Sequence, residues 1–217
     1  MATTTANLNL RAGPGKNYPI LTVIHRGETV KLKAVRTDGW CRVTYSNKEG
    51  YCAARFLDIT QYDAYVADAL VLTEKMLGLW YHFGENFDQP AFGDKRGDCS
   101  GFVGWVSRVN GYQPGSLRLY NYSADEMFDN FSSGKWEAQR IKKGEEQPLD
   151  FVFYGYGDHA SHVVFALGNG KVRGASGGFR ATRTDADAKR VGAKVRDDDI
   201  DFHKHGVIGI FRPPYGE

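Results

Sequence analysis

Two regions of the chain carry different hydrophobic periods. In TVKLKAV the apolar positions Val30, Leu32 and Ala34 alternate with polar ones, the period-two pattern of a half-buried strand. Before it, LNLRAGPGKNYPI sets glycine, proline and asparagine between apolar stretches, which is turn chemistry. After it, DGW opens a further strand, WCRVTY; SNKEG turns the chain and YCAARFL closes it. Several short strands separated by turns predict a small all-β, SH3-like barrel. From Thr60 the period changes. QYDAYVADALVLTEKMLGLW holds no proline and one late glycine, with Val66, Leu70, Met76 and Leu77 at helical spacing. The loop FGENFDQPAFGDKRG follows, and GFVGWVSRV is helical again, with Phe102, Val106 and Val109 on one face. Beyond residue 148 the pattern returns to strands: DFVFYGY, SHVVFAL, a GNG turn, KVRGASGG and a closing VIGIFRPP. Helices followed by strands predict an α+β domain with an antiparallel sheet. The chain therefore divides into 1–59 and 60–217.

Composition narrows the function classes. With 41% apolar and 13% aromatic residues over 217 positions, both regions can bury a core. The 28 basic and 26 acidic residues nearly cancel, and a net +2 is no nucleic-acid footprint, although it does not oppose approach to an anionic cell wall. No apolar run reaches membrane-spanning length, and MATTTANLNL lacks the charged-then-apolar layout of a signal peptide. No membrane insertion is expected. A monomer is expected, secreted or released without a signal peptide in this chain, or cytoplasmic if it recycles wall fragments.

Three cysteines stand at 41, 52 and 99, with no CxxC pair and no Cys/His spacing suited to zinc. Cys41 and Cys52 flank a hairpin, where a cross-strand disulfide is one reading and two small buried residues the favoured one. His203 and His205 lie two apart on a candidate strand with no third ligand nearby, and RDDDID at 196–201 lacks the spacing and glycine of a calcium loop. Both read as solvated charge, and neither a metal nor an organic cofactor is expected.

Cys99 differs from the other two cysteines because it sits where a loop becomes a helix. Free N–H groups and the helix dipole favour a thiolate there, so its pKa is expected below the free value of about 8.5. The same amides can hold the oxyanion of an attacked carbonyl. A thiol nucleophile needs a base brought near by the fold, normally histidine. Of six histidines, His162 begins the strand SHVVFAL, where a rigid element would hold its ring. Taken singly, such residues are more often a core cysteine and a hydrogen-bonded histidine.

Their neighbourhood changes that balance. LNLRAGPG, TVKLKAV, GWCRVTY and GYCAARFL resemble the bacterial SH3 (SH3b) family, which implies a domain that targets or flanks cell-wall hydrolases and implies no chemistry. LWYHFGEN, GDCSGFV, PLDFVFY and SHVVFALGNGKVRGASGG resemble, in order and spacing, the NlpC/P60 family of papain-like cysteine peptidases over most of 61–215. GASGG and VIGIFRPP are most similar to a phage-associated, endolysin-like branch. The resemblance implies Cys99 as nucleophile, His162 as general base, Tyr81 lining the site near the oxyanion, and Asp98 and Ser100 holding the free amine of a stem peptide. A helix N-cap is the alternative role for Asp98 and a buried aromatic that for Tyr81. The family's usual third polar residue, twelve positions after the base, falls on Gly174, which has no side chain. Ser176 has the same strand parity and is the first candidate to orient the imidazole. His159, a main-chain carbonyl or water are the others.

The resemblance implies hydrolysis of the γ-D-glutamyl–diamino acid bond of a peptidoglycan stem peptide or muropeptide through a thioester. Two alternatives stay open: an N-acetylmuramoyl-L-alanine amidase using similar machinery, and a wall-binding protein with a decayed site, for which Gly174 speaks.

Overall fold

The alternating strands of the first region pair into one antiparallel sheet. In the computed structural model, the described residues are 2–35, 38–59, 61–85, 87, 97–109 and 122–215, with the side chains of 34–35 and 61–63 outside them. The predicted loop through FDQPAFGDKRG lies largely outside them too, as does the Ala34 side chain. The strands are β1 (Ala2–Thr4), β2 (Leu8–Arg11), β3 (Ile20–Ile24), β4 (Thr29–Val35), β5 (Trp40–Tyr45), β6 (Lys48–Ala53) and β7 (Leu57–Asp58). Their order is β3-β2-β6-β5-β4-β1-β7. Among the described residues this pairing has two ends, so the expected barrel is an SH3-like sheet that does not close by strand pairing.

Ser46 and Asn47 make the β5–β6 turn, both at positive φ, the geometry of a two-residue hairpin loop. That turn sets the register and brings Cys41 opposite Cys52. Both thiols are free and fully buried, and burial pushes them up to about 11 and about 12. They pack with Leu8, Leu10, Ile24, Val30 and Val43 in the core of this unit. Ile20, Leu21 and Val23 of the terminal strand β3 are exposed.

Helix α1 (Gln61–Lys75) follows, five residues shorter than its hydrophobic period suggests. Gly78 takes φ +87°, and residues 78–81 run extended instead, exchanging main-chain hydrogen bonds with 193–195. Chain contacts divide inside this helix, into Met1–Val71 with Tyr215–Glu217 and Leu72–Pro214. Ala67 belongs to the core of the first unit.

The second unit is α+β. It holds α2 (Cys99–Val109), α3 (Ala124–Ser132), β8 (Gln139–Arg140), β9 (Phe151–Tyr156), β10 (His159–Gly168), β11 (Lys171–Ser176), α4 (Asp185–Val191), β12 (Lys194–Asp199) and β13 (Val207–Arg212). The strands form one antiparallel sheet ordered β12-β11-β10-β9-β13-β8. Alternation along β9 and β10 sorts its faces. Val152, Tyr154, Val164 and Ala166 join Val172, Ile200 and Ile210 on one side. Phe151, Phe153 and Phe165 meet Phe102 of α2 and Phe128 and Phe131 of α3 on the other. Phe102 and Val106 are fully buried, whereas Val109, expected on the same face, is half exposed at the helix end.

Two sequence readings are corrected here. Residues 196–199 of RDDDID are the second half of β12 rather than a solvated loop: their charges pair across or along the strand as Lys171–Asp199, Arg173–Asp197 and Arg196–Asp198. His203 and His205 lie in the loop between β12 and β13, not on a strand. Among the described residues no helix is long and apolar enough to cross a membrane.

Asp150, ahead of β9, is fully buried and takes both nitrogens of an Arg212 fork, Nε at 2.8 Å and Nη2 at 2.7 Å. Removing the arginine leaves a buried carboxylate without its counter-charge. Arg212→Ala should lower the unfolding free energy by about 3–5 kcal/mol, read from urea denaturation.

Candidate active site

The site is assembled at the start of α2. Asp98 caps this helix: its Oδ1 accepts the Gly101 N–H at 2.8 Å and the Ser100 hydroxyl at 2.9 Å, and its Oδ2 accepts the Gly84 N–H at 3.0 Å. The carboxylate thus fixes the first turn of the helix and ties it to the segment that follows Tyr81. Ser100 is buried with its hydroxyl turned to Asp98.

Cys99 is the first residue of α2 and is buried. Main-chain N–H groups of Val163, Ser100 and Cys99 itself bear on its sulfur. Val163 is the neighbour of His162 on β10. The β10–β11 partners end at Phe165↔Arg173, so the sulfur meets a Val163 amide beyond the last rung of that ladder.

His162 is buried on the sheet face that carries Tyr154 and Val164. Its Nε2 lies 3.1 Å from Oγ of Ser176 on β11, which is also buried. Gly174 could not hold a partner in its place: a Cβ there would stand 2.4 Å from Cγ1 of Val164. Two residues along the strand, Ser176 returns to the same face with room for a side chain. His159 is mostly exposed and faces Asp125 and Asp158 instead.

Tyr81 is buried and bridges to Gly97, the residue before Asp98. A Cβ on Gly178 would overlap its ring at 2.0 Å, so the glycine permits the close seat of the aromatic. Burial, with the nearby Cys99 and Asp98, holds its phenol well above the ordinary range.

Two further histidines stand at this site: His82, which the sequence did not single out, and His203, which read there as solvated charge. His82 is buried beside Tyr81, its Nε2 2.9 Å from Asp185 Oδ1 and its Nδ1 3.3 Å from Glu85 Oε2. His203 stacks on the His162 ring. A histidine inside YHF was visible, but its partner on α4 is distant in the chain.

Burial decides the protonation states. It pushes the Cys99 thiol up to about 12, with the Asp98 charge adding to it and the three amides only partly offsetting it. It pushes His162 down to about 3, helped by His203 and Arg196. The lowered thiol expected from the helix start is therefore reversed: the local dipole is outweighed by loss of water. At rest the pair is a neutral thiol and a neutral imidazole.

Residues 6–58 match the family model described as Bacterial SH3 domain. No curated protein matches the chain. Among solved structures it is similar to NlpC2 from Trichomonas vaginalis, at 20% identity and TM-score 0.48, over 100% of this chain and 72% of that one. The peptidoglycan hydrolase RipB from Mycobacterium tuberculosis follows at 19% identity and TM-score 0.49, over 70% of this chain and 66% of that one. An NlpC/P60 family protein from Bacillus cereus is 16% identical with TM-score 0.49, over 100% and 63%.

Alkylation of Cys99 by iodoacetamide, followed by peptide mass spectrometry against pH, should stay slow through neutrality and rise only well above the free-thiol value of about 8.5. A rate that levels off below that value would contradict a desolvated thiol. His162 also sets a stability window. Its folded pKa lies below its unfolded one, so its contribution is complete above about 6.5 and is lost as pH falls toward about 3. His162→Phe should flatten that part of the stability–pH curve.

Proposed function

We propose that the chain is a cell-wall hydrolase, an SH3b domain over 1–59 joined to an NlpC/P60 cysteine peptidase domain over 60–217. Its substrate is a peptidoglycan stem peptide or muropeptide, cut between γ-D-glutamate and the diamino acid. The observation that carries this reading is the His162 Nε2–Ser176 contact, with the amide of the adjacent Val163 bearing on a buried helix-start cysteine, in a chain with the DCSG and HV motifs.

The chemistry follows from the proton inventory. Nε2–H of His162 donates to Ser176 Oγ, which leaves Nδ1 unprotonated and free to act as a base. Because neither partner is charged at rest, proton transfer accompanies attack: Sγ of Cys99 bonds to the carbonyl carbon while Nδ1 takes the thiol proton. Helix-start amides receive the charge that develops on the carbonyl oxygen. The C–N bond then breaks as His162 hands its proton to the leaving amine, and a thioester remains. Water adds to it, giving one proton to His162; the C–S bond breaks and the sulfur recovers that proton. No metal or cofactor enters the scheme. Tyr81 borders the acyl carbon. Asp98 spends three acceptor positions on Ser100, Gly101 and Gly84, so an incoming substrate amine competes for what remains.

Mass spectrometry of purified muropeptides after digestion tests the reading. Fragments ending at γ-D-glutamate support it. Release of the whole stem from the sugar indicates the amidase, and no release at all indicates a binding protein. Cys99→Ala and His162→Ala should each abolish turnover with the fold retained, since nucleophile and base act as a unit. Ser176→Ala should lower kcat about tenfold with little change in KM, as loss of an orienting group does.

A further inference from the structure

The His162 imidazole is covered on one flat side by a second histidine that the scheme above does not use. His203 stacks on it with ring centroids 5.3 Å apart and planes 9° from parallel. Tyr154 and Phe202 stand at 5.9 Å around the same ring. His203 is held in its turn. Its Nδ1 accepts the His205 N–H at 3.4 Å, and its carbonyl accepts the Gly206 N–H at 3.0 Å. Its ring also lies 5.1 Å from Tyr154 and 5.3 Å from His205.

We infer that His203 is a positioning residue for His162: its ring fixes the plane of the imidazole, and its conversion to an imidazolium opposes a proton on His162. The inference rests on the proposed role of His162 as base.

Two arguments carry it. The Nε2–Ser176 contact holds one edge of the imidazole, and a parallel ring on its face fixes its plane. The second argument is electrostatic. A neutral His203 uses Nδ1 as an acceptor, whereas a proton there would face the His205 N–H donor to donor. A charge on His203 would also stand one ring-stack away from any charge on His162, in a buried setting where such repulsion is strong. The charged groups around the pair are of both signs: Asp198 and Asp201 bear on Tyr154, which touches both rings, and favour a proton, and Asp198 also pairs with Arg196 at 2.8 Å. Arg196 on β12 opposes a proton on His162. Partial burial, then His205 and Lys204, oppose one on His203, whose pKa lies below the ordinary histidine value. Cys99 on α2 and Tyr154 on β9 are held protonated and uncharged, and Ser176 on β11 carries no charge. Burial, with Arg196 and Lys204, thus keeps both rings neutral.

The test uses the full chain, isotope-labelled at histidine, as wild type, His203→Phe and His203→Ala. Side-chain NMR titration follows His162 over the pH range in which circular dichroism shows the chain folded, and muropeptide hydrolysis is assayed beside it. In His203→Phe the flat contact remains and the charge is gone, so His162 should titrate at least about half a unit higher than in wild type. His203→Ala should also raise it and should cut kcat about tenfold with KM nearly unchanged, while His203→Phe restores most of kcat. The acid limb of kcat/KM should move upward with the His162 midpoint. A His162 titration and a kcat both unchanged in the two variants would overturn the inference. If the midpoint moves while wild type cleaves no muropeptide, the coupling of the rings stands and the hydrolase reading falls.

Discussion

Three donors converge on the Asp98 carboxylate, and the site hangs on that convergence. Two of them, Ser100 Oγ and the Gly101 amide, belong to the first turn of α2, and the third, the Gly84 amide, to the segment after Tyr81. One side chain therefore decides where the helix begins, and so where Cys99 points. It also sets how close the Tyr81 segment comes. Capping and charge–dipole attraction act together there, since the same carboxylate neutralises the partial positive charge of the helix start. That charge would otherwise have favoured a thiolate. With the carboxylate on the Gly101 amide, the sulfur next to it keeps the Ser100 and Cys99 amides but feels less of the field that lowers a thiol pKa.

The resting state of the Cys–His pair follows from burial acting on two groups of opposite charge type. Loss of water raises an acid and lowers a base, so the same enclosure drives thiol and imidazole apart rather than toward an ion pair. Neutral His203 and Ser176 around the ring do not reverse this, and Arg196 adds to it. Such a Cys–His pair holds no charge until a substrate carbonyl supplies a place for one.

Much of this arrangement was legible in the chain. Alternation in TVKLKAV and WCRVTY located the strands of the first sheet because one face of each is buried. The position of Cys99 at a helix start followed from GDCSGFV, and strand parity pointed past Gly174 to Ser176. The misses have physical causes. Charged RDDDID hid an edge strand, because such a strand needs no apolar alternation when its side chains face water and one another. The short helix α4 announces itself through its capping box, Thr184 with Asp187, whereas α3 shows both a capping box, Ser123 with Glu126, and Ala124, Met127, Phe128 and Phe131 at helical spacing, and was missed although that signal was present. His203 was passed over because ring stacking joins segments that share no local period. The direction of the Cys99 shift was missed for a related reason: a dipole is local to the helix and visible in sequence, whereas enclosure is a property of the whole fold.

The charged strand has a consequence beyond the molecule's own stability. Residues 78–81 lie along the outer side of β12 at 193–195 and satisfy its main chain there, but they stop short of 196–199. The stretch beyond them carries Arg196, Asp197, Asp198 and Asp199. The exposed Lys171–Asp199 pair contributes little to folding, at most about 1 kcal/mol. A foreign strand docking along this stretch would meet the exposed carboxylates of Asp197 and Asp199, which would have to shed water. Charge along 196–199 thus opposes extension of the second sheet by a foreign strand at that stretch.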